Sequence, residues 1–149
     1  MHVDVVRSGD AVAKEGQLLS TYILNERIAI DAGVLGTMVP ADVQAKVSDI
    51  FLSHCHMDHV TSLPFFLEQR SPENATLPTI YAHEFCIDAL KKHFFNDLIW
   101  PDLVRIEREE NIQFCRFEQL AAENVVSCHG LQVTAMTLSH TVPTYGFLV

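Results

Sequence analysis

The sequence predicts a mixed α/β (α+β) domain, on three observations. Strand-length apolar runs with turn residues between them open and close the chain, as at residues 27–30 and 131–138. Between these runs, strand patterns alternate with helical ones across residues 49–95. With 149 residues, 48% of them hydrophobic, the chain can bury one ordinary core, and a second independent domain would not fit. Residues 1–149 are therefore read as a single domain built on a mixed sheet.

In chain order, residues 2–7 read as a first strand, ended by a turn at Ser8, Gly9 and Asp10, and residues 11–17 as a polar connection. Residues 18–24 and 27–30 are β-prone runs joined at Asn25 and Glu26, a hairpin signal. The second run ends in Asp31, Ala32 and Gly33, where the glycine suggests a close turn. Residues 41–47 follow Pro40 and suit a short helix. Residues 49–52 read as a buried strand, and residues 60–69 as a helix carrying Pro64 near its first turn, where proline is tolerated. Residues 71–75 form a loop and residues 79–82 a short strand. From residue 84 to 95, Cys86, Ala89, Leu90 and Phe94 recur at helical spacing, with Lys91 and Lys92 outward. Pro101 and the charged stretch 105–110 are read as a loop, and residues 112–117 as a strand. Residues 125–128 and 131–138 form a hairpin turning at His129 and Gly130, and residues 145–149 begin another strand.

Composition narrows the function. A formal net charge of −9 argues against nucleic-acid backbone and anionic membrane surfaces as partners, and leaves a small anionic substrate open if bound cations reverse the local potential. The first residues carry neither a signal peptide nor a membrane span, which favours the cytoplasm. Cys55, Cys86, Cys115 and Cys128 have no paired spacing and are read as reduced, buried thiols. The sequence does not set the oligomeric state; a homodimer is compatible with it.

The chemistry is concentrated in SHCHMDHVTSLPFF, residues 53–66, which places His54, His56, Asp58 and His59 at a strand-to-helix turn. Alternate residues of an extended segment point the same way, so His54 and His56 can converge on one ion, while Cys55 points away. Asp58 and His59 lie across the turn and can reach a second point nearby, which is the pattern of a two-metal site. A two-histidine site needs a third ligand to hold a transition metal firmly, and His140, at the end of a strand, is the best remaining candidate. Asp31, at the end of the preceding strand, has two readings: an acid that orients a ligand by hydrogen bonding, or a solvated turn residue. His83 and His93 read as structural or surface histidines, and Trp100 as core packing or a lid in preference to a base-stacking platform.

These residues resemble the metallo-β-lactamase fold hydrolases, whose HxHxDH signature is met by His54, His56, Asp58 and His59. The family's earlier acid is matched by Asp31 in IAIDAG and its later histidine by His140 in LSHTVPTYGFLV. Within that fold, HFFNDLIWPDL at residues 93–103 is similar to the class II cyclic-nucleotide phosphodiesterases. The resemblance implies a four-layer αββα sandwich, of which this chain would be mainly the N-terminal half, truncated before a bridging aspartate and a last histidine. It also implies two divalent ions, with His54, His56 and His140 on the first and Asp58 and His59 on the second. Nitrogen-rich ligands favour zinc, with manganese or iron as substitutes. Two such ions about 3.5 to 4 Å apart lower the pKa of water from about 15.7 toward 7.

The expected activity is hydrolysis of a 3',5'-cyclic nucleotide, cyclic AMP or cyclic GMP, to the 5'-nucleotide. Asp58 would orient the attacking water or shuttle its proton. The isolated chain would be nearly inactive for want of the bridging carboxylate. Two alternatives keep their place: a hydrolase of another phosphodiester, a thioester or an RNA 3' end, and a metal-binding domain without catalysis.

Overall fold

The structure is a computed structural model that describes residues 1–8, 18–69 and 76–149. The expected turn at Gly9 and Asp10, the connection 11–17 and the loop 71–75 lie outside the described residues. Strands β1 (Val3–Val5), β2 (Tyr22–Leu24), β3 (Ile28–Ile30), β4 (Asp49–Phe51), β5 (Thr79–His83) and β6 (Arg116–Leu120) form one six-stranded sheet in chain order. Strands β7 (Val125–Cys128), β8 (Leu131–Leu138) and β9 (Thr144–Leu148) form a second, three-stranded sheet.

The first three strands pair antiparallel and the next three join them in parallel, so the larger sheet is mixed. Parallel pairing needs crossovers, and the helices supply them. Helix α1 (Ala41–Gln44) links β3 to β4, α2 (Met57–Val60) and α3 (Leu63–Glu68) link β4 to β5, and α4 (Glu84–Ala89) and α5 (Leu103–Glu110) link β5 to β6.

Alternation along the central strands explains the layers. In β4, Ile50 faces the helices while Asp49 and Phe51 face the second sheet. In β5, Ile80 and Ala82 belong to the helix-side core, and Tyr81 packs toward the second sheet. One core thus lies between helices and sheet, and the other between the two sheets, where Val133, Ala135 and Tyr145 meet Leu24, Ile28 and Phe51. The described residues make three layers, helices on sheet on sheet.

Both hairpin turns fall where the sequence places them. Asn25 and Glu26 have φ of 48° and 56°, and His129 and Gly130 have 48° and 76°, the left-handed pair that a two-residue turn between twisted strands requires. Pro64 sits in the first turn of α3, after Ser62.

Three expectations need correction. The stretch 105–110 is helix α5, not a loop: the Asp102 carboxylate accepts from the Arg105 N–H at 2.9 Å, Arg105 pairs with Glu109 four residues on, and Asn111 ends the helix at φ 58°. With Leu103 the only buried residue of α5, apolar periodicity could not reveal it. The strand expected at 112–117 starts at Arg116, whose N–H bonds Pro78 O, because the chain must first travel from the end of α5 to the sheet edge. The helix expected over 84–95 widens after Ala89 into a π-helical turn, Leu90–Phe94. The Phe95 N–H reaches back to Leu90 O, and both side chains end in the core.

All four cysteines are free; Cys86 and Cys115 are buried as expected, whereas Cys55 and Cys128 are only half-buried. Trp100 packs edge-on against Phe65 and borders the helix-side core. Among the described residues, no helix is long and apolar enough to cross a membrane.

Candidate metal centre

The carboxyl ends of adjacent parallel strands form a rim where side chains leave the sheet, the usual place for a site in such folds. Asp31 follows β3, and Ser53 and His54 follow β4. The backbone of the histidine turn is tied to the loop after β3 at several points. Ala32 N–H donates to His59 O at 2.7 Å, Ser20 N–H to Asp58 O at 2.8 Å, and Gly33 N–H to Ser20 O at 2.9 Å. The Ser62 hydroxyl bonds Ala32 O and accepts from Gly36 N–H. Gly33 is therefore required by close approach: a Cβ there would lie 2.2 Å from Asp58 O.

Asp31 is 3% exposed and has a φ of 61°, so the carboxylate turns inward. It accepts from Ser53 N–H and Ser53 Oγ–H, both at 2.8 Å, and from His59 Nδ1 at 2.6 Å. Since the Ser53 hydroxyl spends its proton on Asp31, its lone pairs face His54 Nδ1 at 3.0 Å. That fixes the His54 proton on Nδ1 and leaves the Nε2 lone pair facing His56 Nδ1. Ser53 was not singled out from sequence; its position one residue before the first histidine was the only available signal.

His140 arrives from the other sheet. It stands in the turn between β8 and β9, and Tyr145 N–H donates to Ser53 O at 3.0 Å, which clips that turn to the histidine segment. His54 Nε2 lies 3.1 Å from His56 Nδ1, and His140 Nε2 lies 3.2 Å from the same nitrogen. One ligand atom from each of His54, His56 and His140 falls within 4.8 Å of the others. Three imidazole nitrogens converging in this way suit a tetrahedral divalent cation with one open position, so the donor set fits zinc. His59 Nε2 faces Asp58 Oδ2 at 3.2 Å, and its ring packs on that of His54 with centroids 4.1 Å apart, though it is not one of the three converging ligands.

The electrostatics follow from position. Burial, followed by the neighbouring His59 and His56, pushes His54 down to about 4. For His59, burial acts downward, but the hydrogen bond and charge of Asp31, reinforced by Asp58, outweigh it and raise the ring above its ordinary value. His83 caps α4 by accepting from Phe85 N–H at 3.0 Å, and His93 is exposed. Cys55 lies on the side of the helix core, away from the triad, and contacts Cys86.

Two packed sheets with this rim define the metallo-β-lactamase fold. The metallo-beta-lactamase fold protein YhfI of Bacillus subtilis superposes with a TM-score of 0.64 and 15% identity, over 97% of this chain and 56% of that one. The chain belongs to the class-II cAMP phosphodiesterase family, whose model, "cAMP phosphodiesterases class-II", matches residues 36–146. It is 44% identical over 66 residues to 3',5'-cyclic-nucleotide phosphodiesterase 1 of Saccharomyces cerevisiae, a match covering 42% of this chain and 17% of that protein. The crystal structure of unliganded yeast PDE1 superposes with a TM-score of 0.67 and 16% identity, over 97% of this chain and 59% of that one. The chain thus spans little more than half the length of these structural relatives.

Proposed function

We infer that the protein is a metal-dependent phosphodiesterase that hydrolyses 3',5'-cyclic nucleotides to 5'-nucleotides. The observation that carries this reading is the meeting of His54, His56 and His140 within 4.8 Å, in a chain of this family. In this reading the three imidazoles hold a first divalent cation, zinc by preference for nitrogen donors, and Asp58 and His59 contribute to a second. Bound divalent cations supply Lewis acidity toward phosphoryl oxygens and lower the pKa of water.

The chain's own residues do the rest. Asp31 and Ser53 hold the rings of His59 and His54 by their Nδ1 atoms, so the outward nitrogens stay presented. In this reading the Asp58 carboxylate, with its side chain 53% exposed, takes a proton from the attacking water and returns it to the departing 3'-oxygen. Cleavage of the bond from phosphorus to the 3'-oxygen leaves the 5'-monophosphate.

The test is direct. The zinc-loaded full-length protein is assayed against cyclic AMP, cyclic GMP and an aryl phosphodiester, and zinc is counted in the wild type and in His56→Ala. Turnover of a cyclic nucleotide, with first-site zinc lost in His56→Ala, is expected. Turnover of the aryl compound alone would remove the cyclic-nucleotide assignment. Full zinc retention in His56→Ala would remove the metal assignment, and bound zinc without hydrolysis of any of the three would favour a purely metal-binding role.

A further inference from the structure

Two cavities flank the histidine rim, and their chemistry differs. One, of about 540 Å³, has apolar walls from Val3, Tyr22, Leu24 and Phe147 and includes the Asp31 carboxylate. The other, of about 510 Å³, lies between the β5–α4 corner and the β8–β9 turn, where His83, Thr137, Ser139, His140 and Thr141 line it. Its size falls within the roughly 300 to 1,000 Å³ of small-molecule sites. The chain carries 19 acidic residues, yet among the described residues lining this second cavity none is acidic. None of the lining side chains repels an anionic ligand, and hydroxyls are available to a sugar.

His83 supplies a donor of fixed identity. It ends β5, the strand next to β4, so it stands on the same carboxyl-end rim as His54. Its Nδ1 accepts the Phe85 N–H at 3.0 Å as the cap of α4, which requires a lone pair on Nδ1 and puts the proton of the neutral ring on Nε2. The ring is held from the other side by Tyr145, with centroids 5.5 Å apart, and the Tyr145 hydroxyl is anchored on Leu120 O at 3.3 Å. The same Tyr145 donates its backbone N–H to Ser53 O, so the cavity wall and the histidine turn are rigidly joined.

We propose that this acid-free cavity receives the sugar-phosphate part of the substrate, and that His83 is a substrate-binding residue whose Nε2–H donates to a phosphate oxygen. The assignment rests on the phosphodiesterase reading, because it takes the substrate to be a phosphate ester reaching the cavity from the side of His140. Helix capping and substrate binding divide the two nitrogens of one ring between them. The hydroxyls of Thr137, Ser139 and Thr141 are exposed along the same wall and match the hydroxyls of a ribose.

The experiment uses the full chain, zinc-loaded, with adenosine 5'-monophosphate as the probe. His83→Asn keeps a capping oxygen for Phe85 N–H, since Asn is a good cap, but withdraws the distant N–H. Calorimetry is expected to show unchanged zinc per chain and about tenfold to a hundredfold weaker nucleotide binding, the effect of losing one hydrogen bond to a charged group. In the wild type, long-range proton–nitrogen spectra should show His83 as the Nε2–H tautomer and a shift of that signal as nucleotide is added. Equal nucleotide affinity in His83→Asn, or an unmoved His83 signal in the wild type, would overturn the assignment. Failure of zinc to bind the wild type would instead overturn the metal reading, and the His83 shift would still report on the cavity.

Discussion

The two ends of strand β4 carry similar side chains and do different things. At its carboxyl end, Ser53, His54 and His56 meet His140 from the second sheet. At its amino end, Ser48 and Asp49 meet His129, also from the second sheet: His129 Nε2 lies 2.8 Å from Asp49 Oδ2, and Ser48 Oγ lies 2.7 Å from both groups. Each end joins the sheets through an imidazole from a connection between two strands of the second sheet. At the amino end, the facing nitrogen finds a carboxylate, so donor and acceptor are satisfied within the protein. At the carboxyl end, the carboxylate of Asp31 is spent on the inward nitrogen of His59 and on Ser53, and three outward nitrogens face one another. An imidazole beside a carboxylate makes a clip. Imidazoles oriented from behind, with lone pairs left over, make a place for a cation.

The sharpest way to break this comparison is to remove one imidazole from each end. His140→Ala should weaken zinc binding by more than the roughly hundredfold upper range seen for outer partners of metal ligands. His129→Ala should leave zinc affinity unchanged and lower unfolding stability by about 0.5 to 1.5 kcal/mol, because the largely buried Asp49 carboxylate loses one of its hydrogen bonds and keeps that of Ser48. Calorimetric zinc titration and denaturant unfolding on both variants read the two effects separately. Equal loss of zinc in both would show that the ends are not functionally distinct.

The next effect concerns the backbone stitching beneath the rim. Gly33→Ala would place a Cβ 2.2 Å from Asp58 O, so the histidine turn must shift. A stability loss of about 1 to 3 kcal/mol is expected from this overpacking. Thermal unfolding of the metal-free protein measures it, and an unchanged midpoint would mean that the loop and turn are not held together as described.

The smallest effect is a titration at the amino end. Burial, then the Asp49 charge, pushes the Tyr81 hydroxyl up to about 12. Since the folded value lies above the ordinary value near 10, the contribution of Tyr81 to stability is full below about pH 10 and fades as pH rises toward the folded value. Ultraviolet titration of the three tyrosines should resolve this late step. Asp49→Asn should bring it down part of the way only, because burial remains; no change would show that Asp49 does not act on Tyr81.

Much of this was legible in the chain. Two-residue turns at Asn25 and His129 announce themselves because few residue pairs tolerate positive φ. The central strands show as short apolar runs because both of their faces are covered. Helix α5 was hidden because capping and ion pairs build it, and apolar spacing does not. Ser53 was missed because a serine becomes informative only once its hydroxyl is seen between Asp31 and His54. Asp31 kept two readings in the sequence, and its burial and three hydrogen bonds favour the orienting role.

By itself, the sequence determined the local chemistry: four ligand-type side chains packed into one bend, and the strand on which the bend begins. Only the tertiary structure decided that His140, 84 positions from His56, closes the triad, and that Asp31, 28 positions from His59, holds that ring from behind. Spacing along a chain constrains what neighbours within a turn or strand can reach. Contacts across such separations are set by sheet pairing and by the packing of one sheet on another, where shifting a strand by a single residue would turn every side chain to the opposite face.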